Sequence, residues 1–249
     1  MIWAILIGNT RCVSALMRGT RVVKRHVVAT DSLKRGAGAL TWAKALRKKS
    51  GAEGVIAASV VPPVDGAVLK AVQKAFKIRP EFVTAKSRLG IRVKVKKPAQ
   101  VGADRLANAV AAVEFYGAPS IVVDLGTGTT FDVVDKSGAY CGGAILPGLG
   151  ISLRALHDFT AKIPLVQFEP TRYAIGRTTE EAVRSGIYHG AIGTIRELLL
   201  KIRGELGVKA PAVATGGWCR VFKGTGLFPH TEPDLTLKGL ALIWRNGHA

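Results

Sequence analysis

Acidic residues are scarce in this chain. Of 249 residues, 17 are Asp or Glu against 36 Lys or Arg, a formal net charge of +19. The imbalance is uneven: residues 1–115 hold 22 basic and 6 acidic side chains, residues 116–249 hold 14 and 11. Dense basic clusters stand at Arg47-Lys48-Lys49 and at Arg92, Lys94, Lys96 and Lys97. Such a field draws anions, whether nucleotide, nucleic acid or acidic protein. No helix-turn-helix, zinc or aromatic stacking motif accompanies it, which argues against nucleic acid. Cysteine is rare too. Cys12, Cys141 and Cys219 are far apart, which excludes a disulfide framework and suggests reduced thiols in a cytoplasm. The five histidines form no H-x-x-x-H pair, so a protein-ligated zinc is not expected. No apolar run reaches the ~18 residues needed to cross a bilayer. The apolar start, Met1–Ile7, lacks a basic flank and reads as a buried strand rather than a signal peptide.

What is present is a folded α/β pattern. Hydrophobic residues make up 48% of the chain, ample for a core in one large domain or two small ones. Strands are expected at 2–7, 12–17, 21–28, 54–61 and 81–84, with helices at 37–49, 64–76 and 104–116. The pattern then restarts. A strand at 120–125 runs into Gly126-Thr127-Gly128-Thr129-Thr130, and a second strand follows at 131–135. Helices are expected at 151–157, 179–202 and 234–246, and a strand at 210–215. An apolar strand, a glycine-threonine turn and a second strand therefore occur twice, opening at Ile5 and at Val122. The reading is two related α/β lobes, 1–117 and 118–249, with a nucleotide in the cleft between them.

The turns supply the chemistry. Gly8-Asn9-Thr10 offers backbone N–H groups and a hydroxyl to a phosphate, although Asn and Gly are also common hairpin residues. Residues 126–130 add three hydroxyls after a buried strand. Asp124, one residue before that strand ends, either binds a cation or caps the loop's own N–H groups. Asp104 opens the alanine-rich helix, where it suits an N-cap or, with Arg105, a general base beside a carboxylate-binding cation. Gly142–Gly148 and Thr215-Gly216-Gly217 read as further glycine-rich turns.

In order and spacing these blocks resemble the type III pantothenate kinases, members of the acetate kinase, sugar kinase, Hsp70 and actin superfamily. The resemblance runs almost end to end. It rests on Gly8-Asn9-Thr10, Ser59-Val60-Val61-Pro62, Val101-Gly102-Ala103-Asp104-Arg105, Asp124-Leu125-Gly126-Thr127-Gly128-Thr129-Thr130, Gly142–Gly148, Thr160–Pro164, Gly176-Arg177-Thr178-Thr179, Thr215-Gly216-Gly217 and Leu235–Leu240. It implies two duplicated actin-like, ribonuclease H-like lobes and transfer of the ATP γ-phosphate to pantothenate, the first step toward coenzyme A. By position it makes Asp104 the general base and Gly102, Arg105 and Thr179 substrate contacts. It makes Gly8, Asn9, Thr10, Thr127 and Thr129 ATP contacts. Asp124 becomes the ligand of a monovalent cation, K+ or NH4+. It implies Mg2+ with the nucleotide and a homodimer.

Three positions depart from the family pattern. Leu6 stands where the family has an aspartate that helps hold the magnesium-bound phosphates. Val95 replaces an aromatic residue, and Gln100 a frequent glutamate. Two readings follow. One is an active kinase in which another group or water serves for the carboxylate at position 6. The other is a catalytically impaired paralogue that keeps the fold and acts as a binding or regulatory protein.

Overall fold

The computed structural model describes residues 1–48 and 51–248. Among the described residues, ten strands and seven helices alternate in two units. The first comprises Met1–Gly117, Gly138–Cys141 and Asp234–Ala249; the second comprises Ala118–Ser137 and Gly142–Pro233.

In the first unit, β1 (Ile2–Ile7), β2 (Arg11–Arg18) and β3 (Arg21–Ala29) form an antiparallel meander. A four-residue helix α1 (Asp31–Lys34) and α2 (Gly36–Lys48) lead to β4 (Gly54–Ser59), which runs parallel to β1. The expected last residue of α2, Lys49, lies outside the described residues. Helix α3 (Pro62–Phe76) then leads to a two-residue strand β5 (Glu81–Phe82). Pro62 and Pro63 begin α3, because proline at the first helical positions forfeits no hydrogen bond. The sheet order is β3-β2-β1-β4-β5. Odd residues of β1 (Trp3, Ile5 and Ile7) pack with Trp42 and Leu46 of α2 and with Val64, Val68 and Val72 of α3. Even residues of β1 therefore face the other side. There α4 (Ala103–Tyr116) packs on β4, and α7 (Leu235–His248) packs on β1 and β4. A single cut at 117/118 assigns residues 234–246 to the second lobe; the structure packs α7 against α4 in the first unit. Its apolar face, with Leu235, Leu240 and Ile243 buried, finds its partner there, and Thr236 Oγ1 donates to Asn108 Oδ1 of α4 at 2.7 Å.

The second unit repeats the plan. β6 (Ser120–Leu125), β7 (Gly128–Val134) and β8 (Tyr140–Pro147) are followed by α5 (Leu149–Asp158) and α6 (Thr179–Leu206). β9 (Ala212–Thr215) and β10 (His230–Thr231) complete a sheet in the order β10-β9-β6-β7-β8. That is the order of the first sheet with each strand replaced by its counterpart. Ile121, Val123, Leu125 and Phe131 pack with Ile195 and Leu199 of α6 and with Phe222. One sequence expectation is corrected: residues 142–147 are not a turn but the body of β8. Gly142 and Gly143 adopt φ of 114° and 152° inside it, and side-chain exposure alternates along the strand. Alternation of that kind marks a strand despite the glycines.

Among the described residues there is no disulfide; Cys12 and Cys219 are buried and Cys141 is exposed. Burial pushes the Cys12 thiol up to about 12, with a hydrogen bond from Ser14 opposing, so this sulfur is unreactive. Among the described residues no helix is long and apolar enough to cross a membrane.

Candidate active site

In the first unit the glycine turn and the Asp104 helix gather at the carboxyl ends of the parallel strands β1 and β4, where α/β sheets place their ligands. Gly8 follows β1 directly, and its N–H donates to Arg11 O at 3.1 Å to close the turn. Thr30, buried, clamps it from behind: its hydroxyl donates to Gly8 O at 2.6 Å and its N–H to Thr10 O at 3.1 Å. The clamp leaves Asn9 and Thr10 exposed on the outer side. No local signal marks Thr30, which lies 20 residues from Thr10 and acts only once β3 has returned beside β2.

Val60 joins the turn to the helix. Its N–H donates to Ile7 O at 3.1 Å, and its Cγ1 lies 3.6 Å from the place a side chain on Gly102 would occupy. Gly102 is the N-cap of α4, so Asp104 stands in the first helical turn and does not cap it. Its Oδ1 accepts from Arg105 N at 2.8 Å. Burial raises the Asp104 pKa above the usual carboxylate range, while the Arg105 N–H and guanidinium pull it down. A carboxylate held this way is poised to accept a proton. Arg105 lies over the ring of buried Tyr140, 5.8 Å from guanidinium carbon to ring centroid, which fixes its direction.

In the second unit Asp124 is the fifth residue of β6, half-buried between Thr130 on β7 and Thr215 on β9. Thr215 Oγ1 is fully buried and makes no hydrogen bond among the described residues. A carboxylate, a hydroxyl paired beside it and an unsatisfied buried hydroxyl form a set of hard oxygen donors, which fits a cation. Two glycines let the backbone close in on this strand end. A Cβ on Gly216 would meet Asp124 Oδ1 at 2.3 Å and Leu125 O at 2.7 Å, and φ is +86° there. A Cβ on Gly148 would meet Thr127 O at 2.3 Å, and the Gly148 N–H donates to that oxygen at 3.2 Å. Thr127 is exposed at the tip of the turn. Thr129 lies in β7, buried, and lines a cavity of about 240 Å3 with Ser152 of α5 and Gly190 and Thr194 of α6. Thr179 is the first residue of α6, exposed. The start of α6 is set by Thr178, whose Oγ1 accepts from Glu181 N at 3.2 Å, and by Glu181, whose carboxylate accepts from Arg177 N at 2.7 Å.

The duplication isolates one difference. Leu6 is the fifth residue of β1 and, like Asp124, half-buried; it pairs with Val13 on β2 and Ala58 on β4. The three positions that are Asp124, Thr130 and Thr215 in the second unit are thus Leu6, Val13 and Ala58 in the first. They present no oxygen, so they do not fit a metal ion or its water shell.

Comparisons with known proteins supply the kinship. The family model for type III pantothenate kinase matches residues 2–201. A type III pantothenate kinase of Thermomicrobium roseum is 40% identical over 254 aligned residues, covering 100% of this chain and 98% of that protein. Among solved structures, a conserved Baf family protein of Campylobacter jejuni superimposes with a TM-score of 0.63 at 17% identity over 98% of this chain and 97% of its own. The inorganic polyphosphate/ATP-glucomannokinase of an Arthrobacter strain gives a TM-score of 0.53 at 12% identity, covering 98% of each. The last two likenesses carry the fold, an actin-like pair of lobes, and the first two carry the kinship. With both sheets built to one plan and the relatives matched almost end to end, the chain belongs to the type III pantothenate kinase family.

Proposed function

We propose that this protein transfers the γ-phosphoryl group of ATP to the primary hydroxyl of pantothenate. The observation that carries the reading is Asp104: a carboxylate raised in pKa by burial, beside a fixed arginine, at the strand ends where the Gly8–Thr10 turn exposes its polar groups. In this reading Asp104 takes the proton of the acceptor hydroxyl as the phosphoryl group arrives. Arg105, Gly102 and Thr179 hold the acceptor, Arg105 through its carboxylate. Gly8, Asn9, Thr10, Thr127 and Thr129 bind the nucleotide phosphates through N–H groups and hydroxyls. Asp124, with Thr130 and Thr215, would hold K+ or NH4+. A bound cation, and Mg2+ carried by the nucleotide, supply charge neutralisation at the phosphates. The first unit has no side chain at Leu6 to hold magnesium.

The acting unit is a homodimer in this proposal. Of the large apolar residues left exposed, Ile145, Ile151, Phe159, Leu165, Tyr173 and Ile175 all fall within one 31-residue stretch of the second unit. Exposed apolar side chains of this kind suit burial against a second copy. Light scattering is expected to give twice the 26.3 kDa chain mass; a monomer at micromolar concentration would refute it.

The deciding experiment is ADP release measured with and without pantothenate. Pantothenate-dependent release supports the kinase. The apolar Leu6–Val13–Ala58 strand end favours a second reading, an impaired paralogue that binds nucleotide and regulates or recruits. Nucleotide binding without pantothenate-dependent release supports that one.

A further inference from the structure

The first unit carries a second groove that phosphoryl transfer does not use. It measures about 800 Å3 and lies along the edge strand β5, the turn at 84–88 and the last turn of α7. Its floor is apolar, with Ile56, Val83 and Ile243 buried, and its rim is cationic, formed by Arg79, Lys86 and Arg88. Among the described residues none of these three cations has a carboxylate partner. The chain carries no acidic residue from Phe82 through Ala103. Glu81 lines the groove but is already engaged: His248 Nε2 lies 3.1 Å from its carboxylate. The His248 ring is held in turn, stacked on Trp244 at 3.8 Å with Nδ1 2.9 Å from Trp244 O. The local field is therefore positive.

The rim is also rigid. Ser87 N–H donates to Thr84 O at 3.0 Å, Thr84 N–H to Ser87 Oγ at 3.0 Å, and Lys86 N–H to Thr84 Oγ1 at 3.2 Å. Asn246 Nδ2 of α7 donates to Leu89 O at 3.1 Å and ties this turn to the helix. None of the groove's lining residues belongs to the Gly8–Thr10 turn or to the start of α4. Trp244 sits against Gly54, the first residue of β4, whereas Gly8–Thr10 follow the last residue of β1.

We infer that this groove is a separate binding site for a small organic phosphate, its apolar body on the floor and its phosphate between Arg79, Lys86 and Arg88. The volume is that of a small-ligand site. Guanidinium pairs are the usual bidentate partners of a phosphate, and a lysine adds a point charge. An added peptide strand is disfavoured, because β5 offers an edge of only two residues.

Pyridoxal 5′-phosphate is a suitable probe, since it joins an aromatic body and a phosphate to an aldehyde. Its aldehyde condenses with a lysine amine to an imine with loss of water, and borohydride fixes the adduct as a secondary amine for peptide mapping. Saturable labelling is expected at Lys86, with protection by inorganic pyrophosphate. The Arg79→Gln/Arg88→Gln double variant is expected to lower Lys86 labelling at least about tenfold. Adducts on the exposed Lys44, Lys70 and Lys74 should not change. Pantothenate-dependent turnover, measured on the same variant, should stay at the parent level, which separates this site from the transfer reaction. Lys86 labelling no faster than that of those three lysines, or indifferent to pyrophosphate or to the double substitution, would overturn the inference. So would protection by a 20-mer oligonucleotide alone, which would make the rim a nucleic-acid surface.

Discussion

Replacing Asp104 by asparagine separates chemistry from stability at one position. As a general base, the carboxylate contributes about 10²–10⁴ in rate, or roughly 3–5 kcal/mol of barrier. The structural consequences are small. The N-cap is Gly102, so no cap is removed, and an asparagine Oδ1 can still accept from Arg105 N. Loss of the negative charge near the helix start costs about 0.3–1 kcal/mol. Relief of the buried charge acts in the opposite direction. The net change should stay within about 1 kcal/mol, or ~2–4 °C in melting temperature for a chain of this size. The pH dependence has a definite sign. The folded pKa of Asp104 is raised, so its contribution to stability is fully present below the ordinary carboxylate pKa and is lost as pH rises through the folded value. Asparagine does not titrate, so the variant should gain on the parent between about pH 4 and neutrality. Coupled turnover assays and paired melts at pH 4 and pH 7 measure both effects. A variant that melts near the parent and phosphorylates pantothenate within about threefold of it would refute the assignment.

Leu6→Asp should raise phosphorylation by about tenfold or more, because a carboxylate there faces the turn end of β1. It should also lower the melting temperature, since it would sit between Val13 and Ala58; a folded variant with an unchanged rate would show that the turn works without a carboxylate. Asp124→Asn should abolish the rise in melting temperature that K+ gives the parent, read by thermal shift in K+ against a large organic cation; an undiminished K+ effect places the cation elsewhere. Gly216→Ala should cost several kcal/mol in denaturant titration, because its Cβ would lie 2.3 Å from Asp124 Oδ1 at a φ of +86°; a loss below about 1 kcal/mol would mean the strand end can yield.

Much of the fold is determined locally. β1 is a six-residue apolar run and β6 one interrupted only by Ser120 and Asp124; both are closed by glycine turns, and their bounds agree with the hydrophobicity of buried strands. The start of α6 is written in Thr178 and Glu181, whose hydrogen bonds, from Glu181 N to the Thr178 hydroxyl and from Arg177 N to the Glu181 carboxylate, need only neighbouring residues. Short range also explains what was not legible. β10 has two residues and exists because the parallel strand β9 supplies its partners, so no period could announce it; β5, expected over 81–84, is only two residues long for the same reason. The glycines of β8 resemble a turn until β7 lies beside them. α7 is an amphipathic helix by its pattern, but which unit takes its apolar face depended on α4, more than a hundred residues earlier. The same holds for the site. That position 6 is leucine and position 124 aspartate is visible in the chain. That their neighbours are Val13 and Ala58 in one unit, and Thr130 and Thr215 in the other, is decided by register across strands far apart in sequence. Strand pairing turns a single substitution into an entirely apolar strand end, because each residue's chemical surroundings in a sheet come from its cross-strand partners and not from its own segment.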